Sequence, residues 1–279
     1  MNKKKFSFPI YYNQTLLSDA ITEGLALTRY AVKDGKQDKT QVAMSTDAGM
    51  IFVDQGVSNW VIDHTSKKGM KRYETTPEHV AVNAEWLNAV NALKADIKVV
   101  AGSSGNVFGA MGALLVPDDF KIPAVMATPE NVKYYGLQLI KSGEVLSVHS
   151  DKVDIVMIEY NYTKIYRKEF LMQKYGGGGI FVEHHNFPHI HIPMEKDCGG
   201  YIVIGKEASK DKFHFTAYQI PFGYALYTPA NTIHGDGTLV GKYGLALADS
   251  AMIGADTVLV YNENTKKMAT EVVPEWREG

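Results

Sequence analysis

The C-terminal half of the chain is built from short apolar runs separated by glycines and polar turns. Ile, Val, Phe and Tyr dominate these runs, and several runs alternate with polar residues. A series of short strands with no helical pattern between them indicates a sandwich or a barrel. We expect strands at residues 145–149, 153–160, 164–170, 200–206, 213–220, 224–228, 243–248 and 257–262.

The N-terminal half begins with a helical pattern. Leu17, Ile21 and Leu25 recur at a spacing of four residues, which predicts a helix over residues 14–34 that ends at Gly35. Short apolar runs follow and predict strands at residues 41–44, 50–53 and 60–63.

Two further helices are predicted from their start signals. In each, a threonine that can cap the helix is followed by proline and glutamate, which suit a first helical turn. These helices run from Thr76 to about Asp96 and from Thr128 to about Lys141.

The two halves of the chain have no linker rich in proline, glycine or serine between them. We therefore expect an α/β region over residues 1–143 that packs on a β-barrel formed by residues 144–279. The alternative is that the N-terminal region forms a separate lobe.

Four histidines are concentrated between Gly179 and Glu195, in a segment whose apolar residues indicate a strand. His189 and His191 are two residues apart, so they point to one face of a strand and can bind one divalent metal ion. Glu195 can add a carboxylate oxygen, and His234 can complete the set from a distant strand. Four such ligands leave positions on an octahedral ion for water or substrate, as a catalytic metal needs.

These residues resemble the two motifs of the cupin superfamily, G(X)5HXH(X)3-4E(X)6G and G(X)5PXG(X)2H(X)3N. The first motif is matched at His189, His191 and Glu195, and the second at Gly223, Pro229 and His234. The resemblance covers roughly the C-terminal half. It implies a mainly β protein with a cupin-type double-stranded β-helix, or jelly-roll, barrel and an α/β N-terminal extension. It also implies one divalent transition metal, Fe, Mn, Ni or Zn, bound by the matched histidines and Glu195.

The chain departs from the cupin motifs at four positions. Glu183 and Ile202 stand where the first motif has its leading and closing glycines. Asn231 and Thr238 replace the glycine and the asparagine of the second motif. These changes affect the turns of the motifs, whereas all the ligand positions are filled.

Three candidate catalytic acid–base residues lie near the metal motifs. Glu183 and His185 have the parity of the metal-binding histidines on a regular strand, although Pro188 can break that register. Asp236 lies two residues past His234 in a Gly-Asp-Gly segment, where the alternative is a role in forming a turn.

The composition excludes several classes of function. The 279-residue chain has a net charge of −2, which gives no electrostatic case for binding nucleic acid or an anionic membrane. Cys198 is its one cysteine, so no intramolecular disulfide can form. No secretory signal and no apolar run of transmembrane length are visible, and we expect a cytoplasmic protein.

The resemblance implies a metal-dependent enzyme that acts on a polar small molecule, with oxidoreductase chemistry of the dioxygenase type as the first expectation. A sugar or hydroxy-keto isomerase or epimerase is the alternative, and a non-catalytic cupin that binds a small ligand or a metal is a third possibility. Tyr224 and Tyr227 are candidate substrate-binding residues, because their hydroxyl groups can hydrogen-bond a polar ligand. Many cupins dimerise, so the resemblance also implies a homo-oligomer.

Overall fold

The structure is a computed structural model. It describes residues 28–47, 75–99, 111–142, 144, 155–248 and 255–277.

Within these ranges the protein is mainly β. The strands are β1 (Thr28–Lys33), β2 (Lys36–Asp47), β3 (Val80–Asn83), β4 (Glu85–Leu87), β5 (Gly112–Val116), β6 (Ala124–Met126), β7 (Gln138–Lys141), β8 (Ile155–Tyr162), β9 (Phe181–His185), β10 (His189–Pro193), β11 (Gly199–Ser209), β12 (Lys212–Gln219), β13 (Tyr224–Thr228), β14 (Ile233–Ala248) and β15 (Ala255–Asn262). The helical elements are α1 (Ala89–Lys94), a 3₁₀ helix (Val132–Tyr135) and a π-helical turn (Tyr166–Leu171). No helix in the described ranges is long and apolar enough to cross a membrane.

The long strand β14 joins two sets of strands. Its N-terminal half lies between β9 and β11, in a set that runs from β4 through β5, β15, β9, β14 and β11 to β12. Its C-terminal half lies between β8 and β10, in a set that runs from β1 through β2, β8, β14, β10 and β13 to β7. The change of partners occurs at Gly241, whose φ of 99° is a conformation that favours glycine.

The helix predicted over residues 14–34 is wrong where the structure describes it, because Thr28–Lys33 is the strand β1. β1 and β2 form a hairpin, and Asp34 and Gly35 adopt φ values of 52° and 73° in the turn between them. Gly35 therefore allows a tight turn rather than ending a helix. Residues 14–27 lie outside the described residues.

The helix predicted from Thr76 to Asp96 is also wrong over most of its length. β3 pairs with β12, β4 pairs with β5, and only Ala89–Lys94 is helical. The Trp86 indole donates a hydrogen bond to Asp256 on β15, at 2.9 Å. Pairing with distant strands has thus overridden the local helical pattern.

Two further predictions fail for related reasons. The helix predicted from Thr128 to Lys141 is a 3₁₀ helix that ends at Gly136, with φ of 79°, and is followed by strand β7, which pairs with β13. The strand predicted over residues 164–170 overlaps the π-helical turn, which buries Tyr166 and Phe170. The pattern of so short a segment does not distinguish a strand from a helical turn.

The other strand predictions have clearer outcomes. Residues 41–44 lie within β2, residues 153–160 overlap β8, and the predictions from residue 200 onward correspond to β11 to β15. The predicted strands at 50–53, 60–63 and 145–149 lie outside the described residues. The division at residue 143 stays a prediction, although β2, β3, β5, β6 and β7 all pair with strands from the C-terminal half.

The candidate site lies in the interior because every residue of β10 is buried. The apolar neighbours Ile190, Ile192, Phe187 and Leu245 are each at most 1% exposed. Burying an aliphatic or phenyl side chain of this size stabilises a fold by about 1.5–3 kcal/mol. This apolar packing offsets part of the cost of burying the polar side chains beside it.

Candidate metal centre

Three neighbouring strands bring four polar side chains together. Glu183 and His185 lie on one face of β9 because they are two residues apart, while His184 points to the opposite face. Glu183 is directly opposite His234 of β14. His189 is the first residue of β10, which pairs with the other half of β14.

The four side chains form a compact buried cluster. One nitrogen or oxygen atom from each of Glu183, His185, His189 and His234 lies within 4.8 Å of the others. The side chains are 1–4% exposed. The ring centroids of the three histidines are 4.5–4.8 Å apart, and the rings are nearly perpendicular to one another. Such an arrangement can hold a single metal ion.

Backbone carbonyl groups fix the orientation of all three imidazoles. Nδ1 of His185 lies 2.9 Å from the Phe187 carbonyl oxygen and Nδ1 of His189 lies 2.6 Å from that of Ala246. Nδ1 of His234 lies 2.9 Å from the Thr232 carbonyl oxygen. A carbonyl oxygen only accepts, so each Nδ1 must donate. In the neutral ring this leaves the Nε2 lone pair free to bind a metal.

The carboxylate of Glu183 is held in a similar way. Its Oε2 accepts a hydrogen bond of 2.7 Å from the Thr257 hydroxyl, and its Oε1 lies 3.9 Å from Nε2 of His234.

Nε2 of His185 and Nε2 of His234 are buried and have no hydrogen-bond partner. Unpaired buried acceptors are costly, and a divalent metal bound at this point would satisfy them. The donor set of three imidazoles and one carboxylate suits Zn and the first-row transition metals.

Burial keeps the histidines of the cluster neutral. It lowers the pKa of His185 to about 2, with a further contribution from the charge of His234. It also lowers the pKa of His234 to about 4, and that of His189 well below its usual value. Neutral imidazole is the form that binds metal, so protons do not compete for these nitrogens near neutral pH.

His191 lies beside this cluster rather than within it. It shares a face of β10 with His189, and the two ring centroids are 5.3 Å apart. Its side chain is fully buried, and neither ring nitrogen has a hydrogen-bond partner. Its Nε2 is 3.8 Å from Oδ2 of Asp236, which is too long for a hydrogen bond.

Asp236 lies within strand β14 and not in the turn that its flanking glycines suggest. The Tyr162 hydroxyl donates a 2.8 Å hydrogen bond to its Oδ2. Burial raises the pKa of Asp236, but the His191 ring and the Tyr162 hydroxyl outweigh burial, so the pKa is below its usual value. A carboxylate is therefore present beside the cluster at neutral pH.

A group of aromatic residues continues from Asp236 to a partly buried arginine. The rings of Tyr162 and Tyr166 are 5.3 Å apart, and a guanidinium nitrogen of Arg29 donates to the Tyr166 hydroxyl. The sequence does not indicate this group, because Arg29 and Tyr166 are 137 residues apart.

The remaining predicted site residues lie away from the four-residue cluster. Oε1 of Glu195 is 3.2 Å from Nζ of Lys242, and the Glu195 side chain is 47% exposed. Tyr227 is opposite Ile190 and therefore faces away from His189. Tyr224 shares the face of His191, but it lies at the opposite end of β13 from Thr228, the residue that is opposite His189.

The structure thus brings together two predicted ligands, His189 and His234, and two predicted catalytic residues, Glu183 and His185. Pro188 separates β9 from β10, yet the short connection between them keeps His185 beside His189. A sequence pattern for this set exists. Glu183, His185 and His189 have the spacing of the cupin H-X-H-X3-E pattern, with an acid at the first position and a histidine at the last.

Comparison of the chain with protein-family models, curated proteins and solved structures finds no match.

Proposed function

We propose that this protein is a metal-dependent enzyme that acts on a polar small molecule, with oxidoreductase chemistry of the dioxygenase type. Glu183, His185, His189 and His234 would hold the metal. The observation that carries the proposal is the convergence of three carbonyl-oriented imidazoles and one carboxylate in a buried site. Surface carboxylates and histidines are often close together, but buried ones need a partner to offset their desolvation.

The proposal includes the barrel that the resemblance implies. A jelly roll places two sheets around an interior, and the passage of β14 from one set of strands to the other is compatible with that arrangement. The homo-oligomer and the cytoplasmic location expected from the sequence remain predictions.

The chain's own groups prepare the site. When bound, a divalent transition metal supplies a Lewis acid and open positions for substrate oxygens or dioxygen. The Phe187, Ala246 and Thr232 carbonyls keep the imidazoles in the metal-binding tautomer. The Thr257 hydroxyl orients the carboxylate of Glu183. Ligand sets of histidine and carboxylate with open positions are typical of non-haem iron oxygenases, which is why we place oxidative chemistry first.

An isomerase is the second candidate because of Asp236. This carboxylate is held by Tyr162 and lies 3.8 Å from the unpaired ring of His191, next to the cluster. A reaction that moves a proton between carbon atoms needs such a base close to the metal. Asp236 would accept the proton and Tyr162 would hold the carboxylate in position.

The first experiment is elemental analysis of protein purified without chelator, beside the double variant His189→Ala/His234→Ala. Near-stoichiometric metal that is lost in the variant supports the centre. No metal in the natural protein, even after reconstitution, would contradict it.

Two assays then separate the reactions, with a panel of sugars and hydroxy-keto acids as substrates. Dioxygen uptake by the Fe(II)-loaded protein supports the oxygenase. Deuterium incorporation from solvent without dioxygen uptake supports the isomerase, and Asp236→Asn should then abolish it. Binding without turnover in either assay would favour the non-catalytic protein.

A further inference from the structure

A second candidate site lies on the opposite face of the strands that carry the metal cluster. The structure contains a cleft of about 600 Å³ whose lining includes His184, Asp256 and Trp86. His184 is between Glu183 and His185 on β9, so its side chain points away from the cluster. Asp256 is directly opposite His184 on β15. The volume is in the range of sites for small ligands.

The walls of this cleft combine aromatic rings with carboxylates. Trp86 and Phe213 stack with their ring centroids 6.2 Å apart, and Tyr135 lines the same space. The carboxylates are those of Glu207, Asp211 and Asp256. Among the described residues, neither Glu207 nor Asp211 has an ion-pair partner.

A lysine that lines the cleft, Lys206, already contacts aromatic rings. Nζ of Lys206 is 3.2 Å from the centroid of the Tyr134 ring and 5.5 Å from that of Tyr135, and it donates to the Tyr134 carbonyl oxygen at 2.7 Å. The chain therefore already places an alkylammonium group near one aromatic ring of the cleft, that of Tyr135, and against the neighbouring ring of Tyr134. Nζ of Lys206 is bonded to Tyr134, and no ion pair of Glu207 or Asp211 is found among the described residues, so these two carboxylates can receive a second cation.

We propose that the cleft binds a small organic cation, which is an ammonium or guanidinium group on an apolar stem. From the opposite face of the strands, this ligand changes the affinity of the metal centre for its metal ion. The cationic group lies among the carboxylates of Glu207, Asp211 and Asp256. The apolar stem packs on the ring of Trp86. This combination of π faces and carboxylates favours an organic cation over a neutral or anionic molecule.

Two further residues of the cleft hold metal-binding residues in position. Asn231 lines the cleft, and its backbone N–H donates to the His185 carbonyl oxygen at 2.7 Å. Thr232 lines the cleft too, and its carbonyl oxygen accepts from Nδ1 of His234. Asn231 has a positive φ of 63°, so this segment is held in a conformation that few residues adopt. A ligand bound against Asn231 and Thr232 therefore moves His185 and His234, which are two of the four metal-binding residues.

Calorimetric titration of the metal-free full chain with agmatine tests the cleft. Agmatine carries a guanidinium and an ammonium on an apolar stem. We expect saturable binding, with Asp256→Asn weakening the affinity by about tenfold or more, since a charge-assisted hydrogen bond is lost. An asparagine at this position can still accept the hydrogen bond from Trp86. The exposed Glu207→Gln variant should weaken binding in the same direction without affecting folding.

Glu271→Gln is the matched control, because Glu271 is an exposed carboxylate that pairs with Lys121 outside the cleft. It should leave agmatine binding unchanged. The proposal is wrong if agmatine does not bind, if all three variants behave alike, or if glutarate or Ca²⁺ at equal ionic strength binds as tightly. These outcomes do not depend on the metal, so they are separate from the failure of the proposed enzyme function.

Repeating the agmatine titration with Zn(II) bound tests the link to the metal centre. Agmatine and Zn(II) should change one another's affinity by the same factor, about fivefold or more. Equal agmatine affinity with and without Zn(II) would contradict the link.

Discussion

Glu183 and His234 lie directly opposite one another on β9 and β14, with Oε1 of Glu183 3.9 Å from Nε2 of His234. The two residues are 51 positions apart in the sequence (234 − 183), so their spacing does not indicate that they are in contact. The Thr257 hydroxyl holds the side chain of Glu183, and the Thr232 carbonyl holds that of His234.

The ligand set can be tested by comparing His185→Ala with Glu195→Ala. His185 belongs to the buried cluster, so its loss should reduce bound metal from near-stoichiometric to near zero. Glu195 pairs with Lys242 at the surface, so its loss should leave metal content unchanged. Elemental analysis of both variants decides the matter. The reverse result would favour the ligand set taken from the cupin motif.

Metal removal should lower the stability of the folded protein. A ligand that binds only the folded state adds about 2.7 kcal/mol of stability at a free concentration of about 100 times its Kd. We expect a chelator to lower the thermal midpoint and Zn(II) or Fe(II) to restore it. The His234→Ala variant should show neither response, and an equal response in that variant would exclude this cluster as the source.

The stability of the metal-free protein should fall as the pH is lowered from about 6.5 towards 4. The pKa of His185 is lowered to about 2 and that of His234 to about 4 in the folded state. The unfolded chain therefore binds protons in this window that the folded chain does not. Stability then rises with pH, by about 1.4 kcal/mol per pH unit for each histidine.

Urea unfolding of chelated protein at several pH values measures this slope. The His185→Gln variant should show a smaller slope over the same window, because it removes one of the three histidines whose pKa is lowered. An unchanged slope in that variant would mean that His185 is not buried in its neutral form.

The hydrogen bond from Tyr162 to Asp236 should contribute to stability. Tyr162→Phe leaves a buried carboxylate with one partner fewer, which costs about 1–3 kcal/mol. Tyr227→Phe is a matched control, because no hydrogen bond of its hydroxyl is found among the described residues. Chemical denaturation of the two variants should therefore give clearly different losses. Equal losses would argue against the contact.

A side chain added at Gly241, where β14 changes partners, should destabilise the fold more than one added at Gly223. Both have positive φ values, of 99° and 86°. A side chain added at Gly241 would lie 3.0 Å from atoms of Cys198, whereas one at Gly223 would meet nothing within 4 Å. Gly223→Ala should cost about 1–2 kcal/mol from backbone strain alone, and Gly241→Ala should cost more. Urea midpoints of the two variants provide the comparison.

The sequence predicts the strands β11, β12 and β13 well, because short runs of β-branched and aromatic residues between turns are a local signal. It fails for the N-terminal helices, because β3, β4 and β7 are stabilised by pairing with distant strands. The metal centre shows the same division. His189 and His234 are indicated by their motifs, but the convergence of Glu183 and His185 with them depends on how β9 and β14 pair.

Strand β14 has a further consequence for the opening motions of the molecule. Its backbone is hydrogen-bonded to β8 and β10 in one set of strands and to β9 and β11 in the other. Either set can therefore open only if its hydrogen bonds to β14 break. We expect the amide protons of β8 and β11 to exchange with solvent as one cooperative unit rather than set by set. A metal bound through His234 would then slow amide exchange at both ends of β14, far beyond the residues that touch the ion.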